Sequence, residues 1–190
     1  AFYATQIGNK GHYLDLVTKV ATSAPTIRRP TATALIDNWA FSAGAEYGRK
    51  KALGNEWFVE PQAQLTYYFL KGDNYTTKNG ATVNQDNTDN LVGRLGAVLT
   101  KEYDKETKNP KRFYVKASVQ HDFLGGRSQH LQQNGMSYYD SNDFRDTWYT
   151  VGIGTNVHSD DKYAFYFDAE RTWCRLQIKI PREVGLRYEF

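Results

Sequence analysis

The 190 residues carry 24 Lys and Arg against 21 Asp and Glu, a formal net charge of +3, at a mean hydropathy of −0.68. No run approaches the ~18 apolar residues a transmembrane helix needs. A single cysteine, Cys174, excludes an intrachain disulfide scaffold or a multi-cysteine zinc site, and the scattered cations form no basic, aromatic-interleaved run suited to nucleic acid. Yet aromatics make up 15% of the chain, which strands with one wet face and one apolar face would reconcile with the low hydropathy.

Taken in chain order, the elements read as strands. Phe2–Ile7 is a short strand whose faces are not assigned. His12–Val20 sets Leu14, Leu16 and Val20 against Tyr13, Asp15, Val17 and Lys19. Leu35–Lys50 has Leu35, Asp37, Trp39, Phe41, Ala43, Ala45, Tyr47 and Arg49 on one face, an apolar band with Trp39 and Tyr47 toward its ends, and Asn38, Ser42, Gly44, Glu46, Gly48 and Lys50 on the other. Glu56–Leu70 sets Trp57, Val59, Ala63, Leu65, Tyr67 and Phe69 against Glu60, Gln62, Gln64 and Thr66. Pro61 lies on its apolar face and lacks a donor, which predicts a bulge or local break. Leu91–Tyr103 opposes Leu95, Ala97, Leu99 and Tyr103 to Arg94, Gly96, Thr100 and Glu102. Arg112–Phe123 opposes Phe113, Val115, Ala117 and Val119 to Tyr114, Lys116, Ser118, Gln120 and Asp122. Trp148–His158 opposes Tyr149, Val151 and Ile153 to Thr150, Gly152 and Gly154. Tyr163–Trp173 opposes Tyr163, Phe165, Phe167, Ala169 and Trp173 to Asp168 and Glu170, and Arg182–Phe190 opposes Val184, Leu186, Tyr188 and Phe190 to Gly185, Arg187 and Glu189.

Short connections (Gly8–Gly11, Lys51–Asn55, Asp104–Pro110, Ser159–Lys162) alternate with mostly longer ones (Ala21–Ala34, Lys71–Asn90, Leu124–Asp146, Cys174–Pro181). That alternation, with apolar bands of roughly 9–11 residues, predicts an all-β fold: a transmembrane antiparallel β-barrel, with short turns periplasmic and long loops extracellular. A soluble β-sandwich would also alternate, but the glycines and charges of both signs on the polar faces, and the aromatics at the band ends, favour the barrel. Trp39, Tyr47, Trp57, Tyr67, Tyr103, Tyr163 and Trp173 are the expected aromatic girdle. Asp15, Lys19, Glu46, Glu60, Gln62, Gln64, Arg94, Glu102, Lys116, Asp168, Glu170 and Arg187 are the expected lumen lining. The plain role of most of these is a solvated wall with cross-lumen ion pairs. No catalytic residue, metal site or cofactor is expected. The competing enzymatic reading is a hydrolase at the outer rim built on His130 with Asp140 and Asp143, the one histidine that shares a long loop with carboxylates.

The stretches YLDLVTK (13–19), SAGAEYG (42–48), EWFVEPQAQLTYY (56–68), DNLVGRLGAVL (89–99), FYVKASVQHDF (113–123) and VGLRYEF (184–190) together resemble the C-terminal translocator domain of pertactin-type autotransporters of type V secretion. The likeness covers nearly the whole chain. It implies a monomeric barrel of twelve strands in the Gram-negative outer membrane, supporting passage of its own upstream passenger polypeptide and inserted by the barrel-assembly machinery. It implies that Gly185, Tyr188 and Phe190 form the terminal assembly signal, and that Glu46, Glu60 and Arg94 are lumen wall positions. About nine strands are counted in residues 1–190. The chain is therefore expected to be the C-terminal part of such a barrel domain, with the first strands, lumen helix and passenger outside it. The alternative without a passenger is a passive pore or adhesin barrel.

Overall fold

The computed structural model describes residues 1–23, 26–29, 32–35, 38–77, 80–103, 111–143, 145–159, 163–174, 178–179 and 182–188. Nine long strands dominate: β1 (Phe2–Ile7), β2 (His12–Ser23), β3 (Asn38–Arg49), β4 (Trp57–Leu70), β5 (Thr88–Tyr103), β6 (Lys111–Asp122), β7 (Thr147–Ser159), β8 (Tyr163–Trp173) and β9 (Arg182–Tyr188). Each pairs antiparallel with its neighbours in sequence, β1 through β9. With two short strands, Lys51–Gly54 on β4 and Ile178–Lys179 on β8, they make one sheet of eleven strands. Among the described residues the sheet is open between β1 and β9.

Side-chain alternation carries through the central strands. On β5, Leu95, Ala97, Leu99 and Tyr103 are exposed while Thr100 and Glu102 are buried. The same holds on β6 and β7, where Phe113, Val115, Ala117, Tyr149, Val151 and Ile153 face out. The burial is inverted relative to a soluble fold. Ala81 is the sole buried apolar residue among the described residues, while Leu95 is 63% exposed and Ile153 55%. Water would not tolerate so continuous an apolar face, and a hydrocarbon environment would.

Register fixes which polar residues meet. Paired residues share a face, so Glu46, Gln64, Arg94, Gln120 and Trp148 form one row across β3 to β7. Glu60, Val98, Lys116, Gly152 and Glu170 form the next but one, across β4 to β8.

Three features differ from or refine the sequence reading. The segment Leu35–Lys50 is divided: Ala32–Leu35 pairs with Thr26–Arg29 as a separate hairpin, and β3 starts at Asn38. Opposite Pro61 the β3 side of the ladder is interrupted without a change of register, resuming at Lys51↔Val59, while Pro61 stays paired with Ala97 on the other side. On the β2 side the ladder continues past His12↔Arg49, with the Lys50 amide donating to Gly11 O at 2.9 Å. The third concerns the long connections after β4 and β6, which are not irregular. Asn74–Thr76, Thr82–Gln85, Gly126–Gln133 and Met136–Asp143 assemble a four-stranded sheet. Its longer hairpin, Gly126–Gln133 with Met136–Asp143, turns at Asn134 (φ 51) and Gly135 (φ 78), the left-handed pair that a two-residue type I′ turn requires.

Candidate functional site

Among the described residues the polar face holds two clusters built around a tyrosine hydroxyl, each spanning several strands. The first joins β2 to β5. The Tyr13 hydroxyl lies 2.8 Å from Glu46 Oε1 and 3.1 Å from Glu60 Oε1, two acceptors for one proton. It accepts from Gln62 Nε2 at 3.0 Å, and that amide also reaches Glu60 at 2.8 Å. Arg94 donates through one terminal nitrogen to Glu46 Oε2 at 2.9 Å and through Nε to Gln64 Oε1 at 2.8 Å. One guanidinium thus holds residues of β3 and β4 with its planar fork.

The second cluster joins β6 to β8 across β7. Lys116 Nζ lies 2.9 Å from Asp168 Oδ2 and also pairs with Glu170. Tyr114 donates to Asp168 Oδ2 at 2.5 Å. Strands lie about 4.8 Å apart, so these contacts must cross a whole strand. Glycine on β7 makes that possible. A Cβ at Gly154 would stand 2.2 Å from Tyr114 Cζ, and one at Gly152 2.7 Å from Lys116 Cε. Gly48 does the same for Tyr13, whose Cζ would be 2.3 Å from an added Cβ.

Of the sequence-selected lining residues, Glu46, Glu60, Gln62, Gln64 and Arg94 are in the first cluster, and Lys116, Asp168 and Glu170 in the second. Asp15 takes a long bond from the Tyr3 hydroxyl at 3.4 Å, and Lys19 is exposed in the row of Ser42. Glu102 is 7% exposed at the short-turn end, paired with Lys50 at 2.5 Å and Arg112 at 3.2 Å. The side chains of Arg187, Tyr163 and Tyr188, and all of Phe190, lie outside the described residues; Gly185 is paired with Tyr166. Sequence reasoning left out Tyr13 and Tyr114 as hubs, although both sit opposite apolar neighbours. Placing Tyr next to a glycine of the adjoining strand is the missed signal.

Of the expected girdle, Tyr47, Trp57 and Tyr103 are exposed at the short-turn end of the apolar face, and Trp39 and Trp173 at the long-loop end. Tyr67 bonds Asp89 near that same end. Tyr47 also meets His12 Nδ1 at 2.5 Å.

The rim histidine does not gather its carboxylates. His130 pairs with Tyr139 in register, one residue out of phase with Asp140, which instead accepts from Gln129 at 3.2 Å and Asn142 at 3.0 Å. Arg145 forks onto Asp143 and holds its carboxyl down at about 2. An acid so depressed is ionised and engaged near neutral pH. Among the described residues of this loop, no histidine and carboxylate are positioned for proton relay.

A strand-by-strand meander whose uncovered side is apolar and whose other side is an ion-paired polar wall defines an outer-membrane-type β-barrel. The autotransporter beta-domain family matches residues 1–170, and the chain belongs to that family, whose beta-domains reside in the bacterial outer membrane as translocators. It is similar to the pertactin autotransporter of Bordetella bronchiseptica, at 30% identity over 99% of this chain and 21% of that protein. It is also similar to the BrkA autotransporter of Bordetella pertussis, at 34% identity over 99% of this chain and 19% of that protein. The chain therefore spans about a fifth of the length of these curated relatives. The crystal structure of the beta domain of the Bordetella autotransporter BrkA shares its fold, with a TM-score of 0.70 at 24% identity, over 99% of this chain and 71% of that one.

Proposed function

We propose that this chain is part of the outer-membrane anchor and conduit through which an upstream passenger of the same polypeptide reaches the cell surface. The observation that carries this reading is the polar face, where Arg94 pairs with Glu46 and Lys116 with Asp168 and Glu170. A wall whose charges are paired stays hydrated and offers few strong sites to hold a passing chain. The lining residues named from sequence act as that wall, with Glu46, Glu60 and Arg94 at its centre. Short turns and the C-terminus lie in the periplasm, long loops outside. The terminal strand with Gly185, Tyr188 and Phe190 is read by the barrel-assembly machinery, and the barrel works as a monomer in outer-membrane lipid.

The test is display on intact cells. In the full-length protein, an epitope placed upstream of Ala1 becomes accessible to antibody, and a cysteine replacing Ser137 in the long-loop sheet reacts with a membrane-impermeant maleimide. With Cys174 replaced by serine throughout, a cysteine replacing Ala52, in the short strand at the short-turn end, does not. Normal heat-modifiable migration of the barrel with no surface epitope would reject the conduit role; labelling of Ala52 instead of Ser137 would reverse the orientation.

A further inference from the structure

The apolar face is not uniform. At its short-turn end lies a groove of about 440 Å³ walled by Trp57, Leu99, Tyr103, Phe113, Val115 and Ile153, with Lys101 at its mouth. Trp57, Lys101 and Phe113 form one cross-strand row on this outward side. The Lys101 ammonium stands 5.6 Å from the Trp57 ring centre and 5.2 Å from that of Tyr103, whose ring meets Phe113 edge-on at 5.8 Å. Its polar partners are Asn55 O and, at 3.4 Å, Glu56.

We propose that this groove binds an anionic glycerophospholipid, with one acyl chain along Leu99, Val115 and Ile153 and the phosphate at the Lys101 ammonium. The inference rests on the orientation given above, which puts the short-turn end in the periplasmic leaflet, where glycerophospholipid lies. A cation facing a membrane is costly unless it has a counter-charge. Trp57 and Tyr103 mark headgroup depth, so the ammonium sits where a lipid phosphate sits. Glu56 is half exposed and its pair with Lys101 is loose, which makes it a competitor rather than a permanent cap. The apolar floor below the cation is open sideways to the membrane, the direction from which a tail enters. Tyr114 and Gly154 of the second cluster also border the groove, but Lys101 belongs to neither cluster and points outward, so its charge can be altered while the wall stays intact.

Native mass spectrometry of the full-length protein, delipidated in mild detergent and titrated with phosphatidylglycerol, tests the site. The expected result is one retained lipid, reduced about five-fold or more in Lys101→Gln and restored in Lys101→Arg. Ile153→Trp, which fills the groove and keeps the charge, should lose it too, and Glu56→Gln should hold or tighten it. Arg171→Gln, beside Trp173 at the other rim, should change nothing. Equal retention in Lys101→Gln, equal loss in Arg171→Gln, or displacement by lipid A in preference to phosphatidylglycerol would each overturn the proposal. Heat-modifiable migration is recorded on every sample. Its loss in the parent sinks the barrel reading, whereas its retention with no bound lipid sinks only this site. If Lys101→Gln fails to fold, Ile153→Trp decides.

Discussion

Gly48, Gly152 and Gly154 stand where a long side chain has to pass over a whole strand to reach its partner. Their value is the missing Cβ, since all three keep ordinary strand backbone. Gly154→Val should force the Tyr114 ring off its path, leave Asp168 short of a donor and cost about 1–3 kcal/mol in urea unfolding. Gly126→Ala, where the nearest non-neighbouring atom is an ordinary 3.5 Å away, should be near neutral. Equal effects would mean the crossings contribute little. The polar identity of Glu46, Arg94 and Lys116 was legible from alternation alone, because period two assigns a face. Their partners were not legible. Which Tyr meets which Glu depends on register, and register is a long-range property set by strand lengths and turns.

Strands with one apolar face declared themselves: β3 to β8 were all recognisable, and only their ends moved, as at Leu35, where a separate hairpin takes the residues. The long-loop sheet is not legible as strands in the sequence. Its strands, such as Gly126–Gln133, are polar on both sides and have no alternation to detect. Asn134–Gly135 was the one available signal, a strong hairpin dipeptide. Gly135→Val puts a β-branched residue at φ 78 and should open that hairpin to added protease, while barrel migration stays heat-modifiable. Loss of both would show that the loop sheet and the wall fold as one unit. The lipid-facing assignment has its own check. Ala97→Arg, mid-band on β5, should destabilise by about 2–4 kcal/mol, and Val157→Arg, in the rim row of Lys111, by about 0–1. Reversed values would mean the depth is wrong.

At the scale of the whole molecule, low hydropathy and many rings are two consequences of one architecture. Half of each strand is wet wall, and most of the exposed rings edge the apolar band. Two rings on the wet side, Tyr13 and Tyr114, use their hydroxyls on carboxylates and lie over glycines of the adjoining strand. The family gives the chain its setting, and the inverted burial gives the physical reason for it. A conduit lined by the polar face requires that a passenger meet that face in transit. Photo-crosslinking in cells tests this directly, with a photoreactive amino acid at Val98 or at Ala97 in the full-length protein while the passenger is stalled in transit. These neighbours on β5 point to opposite sides of the sheet, Val98 in the row of Glu60 and Lys116 and Ala97 exposed. Capture of passenger from Val98 and not from Ala97 is predicted. Capture from Ala97, or equally from both, would contradict a conduit lined by the polar face.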